Sequence, residues 1–102
     1  MKLLKIVLSL AVLTGAPAFA SKELAQKNAC LACHAADKKL VGPSYQDVAK
    51  KYAGQKDAVA MLAASIKKGG SGKWGPVPMP AQATLSDADV NTLAIWVLAG
   101  AK

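Results

Sequence analysis

The chain contains no arginine, one histidine, two cysteines and one phenylalanine. Without arginine it lacks the side chain that clamps phosphates bidentately and reads base edges, so nucleic acid is disfavoured as a partner despite a formal charge of +7. One histidine cannot place two imidazoles on one metal. Two cysteines and that histidine leave a tetrahedral zinc site one ligand short. No strand-like alternation and no internal repeat occurs, which excludes sheet and solenoid architectures. The longest apolar stretch, Ile6 to Leu13 broken only by Ser9, is too short for a membrane span of roughly 20 residues. No stable membrane insertion is expected.

That stretch instead fits an export signal. Lys2 and Lys5 precede it, and Ala18-Phe19-Ala20 is a small-x-small cleavage site, so residues 1–20 read as a cleaved signal peptide and 21–102 as the mature domain. Export to the bacterial periplasm is the expected destination. The cut takes the only phenylalanine, leaving Tyr45, Tyr52, Trp74 and Trp96 as the aromatic residues of a small domain. So few large side chains build a weak core, and a domain of this size commonly needs a disulfide, a metal or a cofactor. Cutting also removes two of thirteen lysines; the remaining eleven against six acids give a mature charge of +5.

The two cysteines and the histidine stand together in Cys30-Leu31-Ala32-Cys33-His34. This C-x-x-C-H pattern is the attachment signal for a c-type haem: both thiols become thioethers to the haem vinyl groups, and the histidine binds iron. A macrocycle that buries apolar surface at about 25 cal/mol per Å² would also supply the missing core. Two other chemistries use C-x-x-C. A thiol–disulfide oxidoreductase needs a βαβ setting and an activating helix N-terminus, neither of which the pattern offers; zinc lacks its fourth ligand.

The mature chain reads as all-α, with about four short helices. Ser21 to about Cys33 forms the first, with the C-x-x-C-H clamp at its C-terminal end. Ser44 caps a second that stops at Gly54, and Asp57 starts a third that ends at Gly69-Gly70. Ser86 caps the last, which runs through Val90, Leu93, Trp96 and Val97 to Gly100. Gly69 to Leu85 is a long loop whose Pro76, Pro78 and Pro80 preclude helix.

An electron-carrying haem needs a sixth iron ligand. With no second histidine and both thiols consumed, methionine or lysine remains. Met61 lies on the apolar face of the third helix, where methionine usually fills a core. Met79 has no helical role and sits among prolines; it is the expected ligand. An enzymatic haem would need an open distal position, which the Met79 loop closes.

The clamp, Val41-Gly42-Pro43, the Trp74-Gly75-Pro76-Val77-Pro78-Met79-Pro80 loop and the terminal Leu93-Ala94-Ile95-Trp96-Val97 helix together resemble the short bacterial class I cytochromes c of the c-551 (c8) type. The resemblance spans the mature chain. It implies the small class I cytochrome c fold around one covalently attached haem c, and a soluble, monomeric one-electron carrier rather than an enzyme. It implies His34 and Met79 as axial iron ligands, Cys30 and Cys33 as thioether links, the Pro43 carbonyl on the other nitrogen of His34, and the Trp74 indole near a haem propionate. Relatives often carry a basic residue where this chain has Ser65 and an asparagine where it has Gln82. By the same resemblance, the partners are a quinol-oxidising complex upstream and a nitrite reductase, peroxidase or terminal oxidase downstream. Lys27, Lys38, Lys39, Lys67, Lys68 and Lys73 flank the clamp or the loop and could steer docking onto acidic patches of such partners. N-terminal sequencing of the exported protein should begin at Ser21; a mature chain that begins at Met1 would refute the cleavage.

Overall fold

In the computed structural model, which describes residues 18–102, the terminal helix α4 (Asp87–Leu98) is the one against which the others are laid: α1 (Ala18–Lys27), α2 (Tyr45–Tyr52) and α3 (Ala58–Lys68) all pack on it. The reason lies in its composition. Val90, Leu93, Ala94, Trp96 and Val97 are buried, so α4 offers apolar surface over most of its circumference and has partners on several sides. Tyr45, Val48 and Tyr52 of α2 and Ala58, Leu62 and Ala63 of α3 complete the core, with Ala25 of α1. The architecture is all-α; among the described residues there is no strand, only two isolated bridges, His34 with Lys39 and Gly70 with Met79. Most of the leader read at residues 1–20 lies outside the described residues.

Local chemistry sets the helix ends. Ser44 Oγ accepts from the Asp47 amide and Ser86 Oγ from the Asp89 amide, both at 3.0 Å, so each serine satisfies one orphan donor of the helix it opens. Gly69, at φ 67 and ψ −166, ends α3 in a region essentially restricted to glycine. After α4, Gly100 adopts φ 83 and Ala101 donates back to Trp96 O at 3.0 Å, closing the last turn. Lys67 and Asp87 join the end of α3 to the start of α4 at 2.6 Å. The ammonium holds the Asp87 carboxyl below its ordinary range, but the pair is solvent-exposed and contributes little to stability.

The first helix departs from the sequence expectation. It does not continue to Cys33 but stops at Lys27, and the clamp stands on a separate 3-10 turn, Cys30–Ala32. Asn28 causes the break. Its side-chain amide donates to Leu24 O at 2.8 Å and its backbone N–H to the same carbonyl at 3.2 Å. Ala29 then turns left-handed at φ 59, a conformation that costs an alanine roughly 1–2 kcal/mol. Neither glycine nor proline marks this stop, so periodicity alone ran through it. Replacing Ala29 by glycine should therefore stabilise the folded chain, by roughly 0.5–1 kcal/mol after the added unfolded-state entropy is deducted. Chemical denaturation of the two proteins measures the difference.

Candidate haem site

The clamp and the loop after it are tied together through the backbone. Cys33 and His34 both donate to Cys30 O, at 3.2 and 3.0 Å, which closes the 3-10 turn. The chain then leaves, turns at Lys38 to Val41, and returns: Gly42 donates to Cys33 O at 2.7 Å, Tyr45 to Ala35 O at 2.9 Å and Gln46 to Ala36 O at 3.0 Å. The first turn of α2 is thus hung on the residues that follow the clamp. This return brings Pro43 to His34 across nine positions, with His34 Nδ1 at 2.7 Å from Pro43 O. A carbonyl only accepts, so Nδ1 carries the proton and Nε2 keeps its lone pair. The Tyr45 ring stacks on the imidazole, centroids 5.2 Å apart at 21°, and is itself backed edge-on by Trp96 of α4.

A second backbone tie holds the proline loop. Gly70 donates to Met79 O at 3.1 Å and Met79 to Gly70 O at 2.7 Å, so Met79 is paired on both sides with the residue just past α3. Gln82 donates to Ile66 O at 3.0 Å and anchors the far side of the loop on the same helix. Between the two ties lies a cavity of about 710 Å³, within the range of sites for drug-sized and cofactor-sized ligands. Cys30, Cys33, His34, Pro43, Trp74 and Met79 all line it, so the six residues expected from sequence share one space.

The wall is mostly apolar and incompletely covered. Seven large hydrophobic side chains are exposed among the described residues, and Val41, Met61, Trp74 and Val77 of these line the cavity. Such surface is what a flat apolar macrocycle would cover, and a protonated-Nδ1 imidazole, two thiols and a thioether are the donor set that a covalently attached haem uses. The residues present fit the group. The Cys30 thiol does not suit the alternative chemistry: burial pushes it up from its ordinary range, and nearby Cys33 adds to the shift, whereas a thiol–disulfide nucleophile needs a lowered value.

Two expectations need revision, on Met61 and on the flanking lysines. Met61 is not a core filler; its side chain is 37% exposed and faces the cavity, because the core side of α3 is taken by Ala58, Leu62 and Ala63. Trp74 also lines the cavity. At 40% exposure it stands on the cavity wall with the Lys51 ammonium 4.6 Å from its ring centroid. Of the flanking lysines, Lys39, Lys68 and Lys73 line the cavity; Lys67 is engaged by Asp87, and Lys27 and Lys38 lie elsewhere. Ser65 lines the cavity without a charge, while Lys73 donates to the Tyr52 hydroxyl at 3.3 Å and Lys51 to Lys73 O at 3.3 Å.

Sequence reasoning passed over four residues. Lys51 gave no signal. Tyr45 read only as an aromatic residue of the mature chain. Gly42 entered only as part of Val41-Gly42-Pro43 and Gly69 as a helix stop, but each also leaves room for a neighbour: a Cβ on Gly42 would meet the His34 ring, and one on Gly69 would run into the Met79 carbonyl. A glycine next to a candidate ligand's partner is the signal that could have found them.

The family model for cytochrome c matches residues 19–100. Cytochrome c-552 of Hydrogenobacter thermophilus is 55% identical over 96 residues, covering 94% of this chain and 93% of that protein. Cytochrome c-551 of Pseudomonas aeruginosa is 56% identical over 75 residues, covering 74% and 71% respectively. Among solved structures, wild-type cytochrome c552 of Nitrosomonas europaea superposes with a TM-score of 0.75 at 49% identity, covering 78% of this chain and 98% of that one.

Gly69 combines a glycine-only backbone with direct contact to the Met79 carbonyl. Gly69→Ala should cost about 1–3 kcal/mol in denaturant unfolding and should displace the Met79 loop from α3. Faster amide exchange at Met79 and Gly70 than in the parent checks the second part.

Proposed function

The chain belongs to the cytochrome c family, and on that premise we propose that it is a periplasmic one-electron carrier whose haem c is attached through Cys30 and Cys33 and whose iron is bound axially by His34 and Met79. Members of this family bind haem c covalently and transfer electrons; they are not enzymes. What supports the residue assignment above all is the bond between His34 Nδ1 and Pro43 O, 2.7 Å, beside the cavity that Met79 also lines.

Haem, when bound, supplies a one-electron Fe(III)/Fe(II) couple. The work of the chain is to hold its ligands still and tune them. His34 donates its Nδ1 proton to the Pro43 carbonyl, which fixes the tautomer, turns Nε2 toward the metal side and makes it a better donor. Met79 offers a neutral, soft thioether, which favours the reduced metal more than a second imidazole would and so raises the potential. The paired hydrogen bonds to Gly70 and the three surrounding prolines restrict movement of Met79. Held by both His34 and Met79, an iron would have no position left for a substrate. The indole N–H of Trp74, on the cavity wall, is the group assigned to a haem propionate.

Lys39, Lys68 and Lys73, exposed at the cavity mouth, steer the carrier onto acidic patches of its partners, a quinol-oxidising complex upstream and a nitrite reductase, peroxidase or terminal oxidase downstream. Among the described residues no helix is long and apolar enough to cross a membrane.

Protein matured in the periplasm should show c-type absorption that survives denaturation, as thioether attachment requires. Met79→Ala should then lower the potential and admit external ligands such as imidazole or cyanide, while Met61→Leu leaves both unchanged; the reverse pattern would move the sixth ligand to Met61. The rate of electron transfer to an acidic redox partner should fall as ionic strength rises. A flat salt dependence would remove the lysines from docking.

A further inference from the structure

A single hydrogen bond fixes one corner of an imidazole, not its plane. The bond from His34 Nδ1 to Pro43 O leaves the ring able to swing about the line between those atoms. The freedom is removed by what lies against the ring. A Cβ on Gly42 would stand 2.5 Å from Cε1, 2.9 Å from Nδ1 and 3.1 Å from Nε2 of His34. A Cβ at those distances would stand above the plane of the ring beside Cε1, so the methyl position of Gly42 faces one side of the imidazole. Gly42 is not among the residues with positive φ, so glycine is not required here for the backbone conformation; it is required for space.

Nor can that backbone retreat. Gly42 N–H donates to Cys33 O at 2.7 Å and Gly42 O accepts from Leu40 at 3.1 Å, which binds it to the clamp and to its own turn. The flat surface against the ring is Tyr45, stacked on His34 with centroids 5.2 Å apart and 21° between planes. Only 5% exposed and braced by Trp96, it has little room to tilt.

We propose that Gly42 and Tyr45 are positioning residues that set the plane of the His34 imidazole, while the Pro43 carbonyl sets its tautomer and basicity. The inference rests on the assignment of His34 as an iron ligand. An imidazole donates π density through the orbital perpendicular to its ring. The direction of its plane therefore decides which of the two iron dπ orbitals is raised, and over which pyrrole rings the unpaired spin of the ferric state is spread. The proton resonances of the four haem methyl groups report that spread directly.

The test compares ferric holoproteins by proton NMR, with thermal unfolding alongside. Gly42→Ala should retain covalent haem but change the order and spacing of the four methyl resonances, because the new methyl must push the ring aside. Tyr45→Leu, which removes the flat surface, should also redistribute them; Tyr45→Phe, which keeps the ring and loses only the hydroxyl, should give the parent pattern. A residue that merely packs would lower the unfolding temperature and leave the pattern intact, so a folded Gly42→Ala holoprotein with parent methyl shifts overturns the proposal. Should Gly42→Ala yield no folded holoprotein, the tyrosine pair decides alone: change in Leu but not in Phe supports the proposal, and parent shifts in Leu overturn it. Parent protein that takes up no haem would overturn the haem reading itself, an outcome distinct from unaltered methyl shifts in a haem-bearing variant.

Discussion

The return of the chain from Gly42 to Gln46 onto the backbone of Cys33 to Ala36 is the constraint on which the site depends. Three backbone hydrogen bonds and the bond between His34 and Pro43 close one short circuit. Within it, the first residue of α2 is fixed relative to the clamp. Because α2 packs through Tyr45, Val48 and Tyr52 against α4, the orientation of His34 is referred to the domain core and not to a free loop. A ligand held this way cannot move without disturbing the helix packing, which is the condition for little rearrangement when charge on a metal changes.

The other candidate ligand is secured by a different means. Met79 lies in a stretch with neither helix nor strand, where three prolines fix φ and remove donors. Proline stiffness alone would leave the loop free to hinge at its ends. The Gly70–Met79 pair and the Gln82–Ile66 bond supply the missing attachment, both to the C-terminal end of α3. The glycines at 69 and 70 therefore serve two ends at once: they stop the helix, and they let the loop backbone approach it.

What the sequence made legible follows from how local each cause is. The starts of α2 and α4 were readable because a serine caps each from one residue away, and the ends of α2 and α3 because glycine follows. The end of α1 was not, since its stop comes from an asparagine side chain folding back four residues onto Leu24, a competition that periodicity does not encode. The clamp and the proline loop were legible as chemistry, and they do line one cavity. Met61 was read as a core filler, and Trp74 was placed beside the cofactor by resemblance alone. Both are apolar residues that ordinarily go inward, and here the inward place is the wall of a space that the polypeptide does not fill.

That space explains why a domain with four large aromatic side chains between residues 21 and 102 can be stable. Among the described residues no large side chain is completely buried, and much of the apolar surface left bare is on the cavity wall. Each of α2, α3 and α4 contributes to that wall, as do the clamp and the Met79 loop. A group seated there would touch nearly every element at once, adding contacts that the helices do not make with one another across the cavity. Haem c seated there would be part of the hydrophobic core, so that the stability of the fold and the placement of the candidate ligands would be two consequences of the same burial. It follows that changes on the cavity wall should rarely affect the redox site alone: a residue that sets the position of a ligand also bounds the apolar surface that holds the chain together.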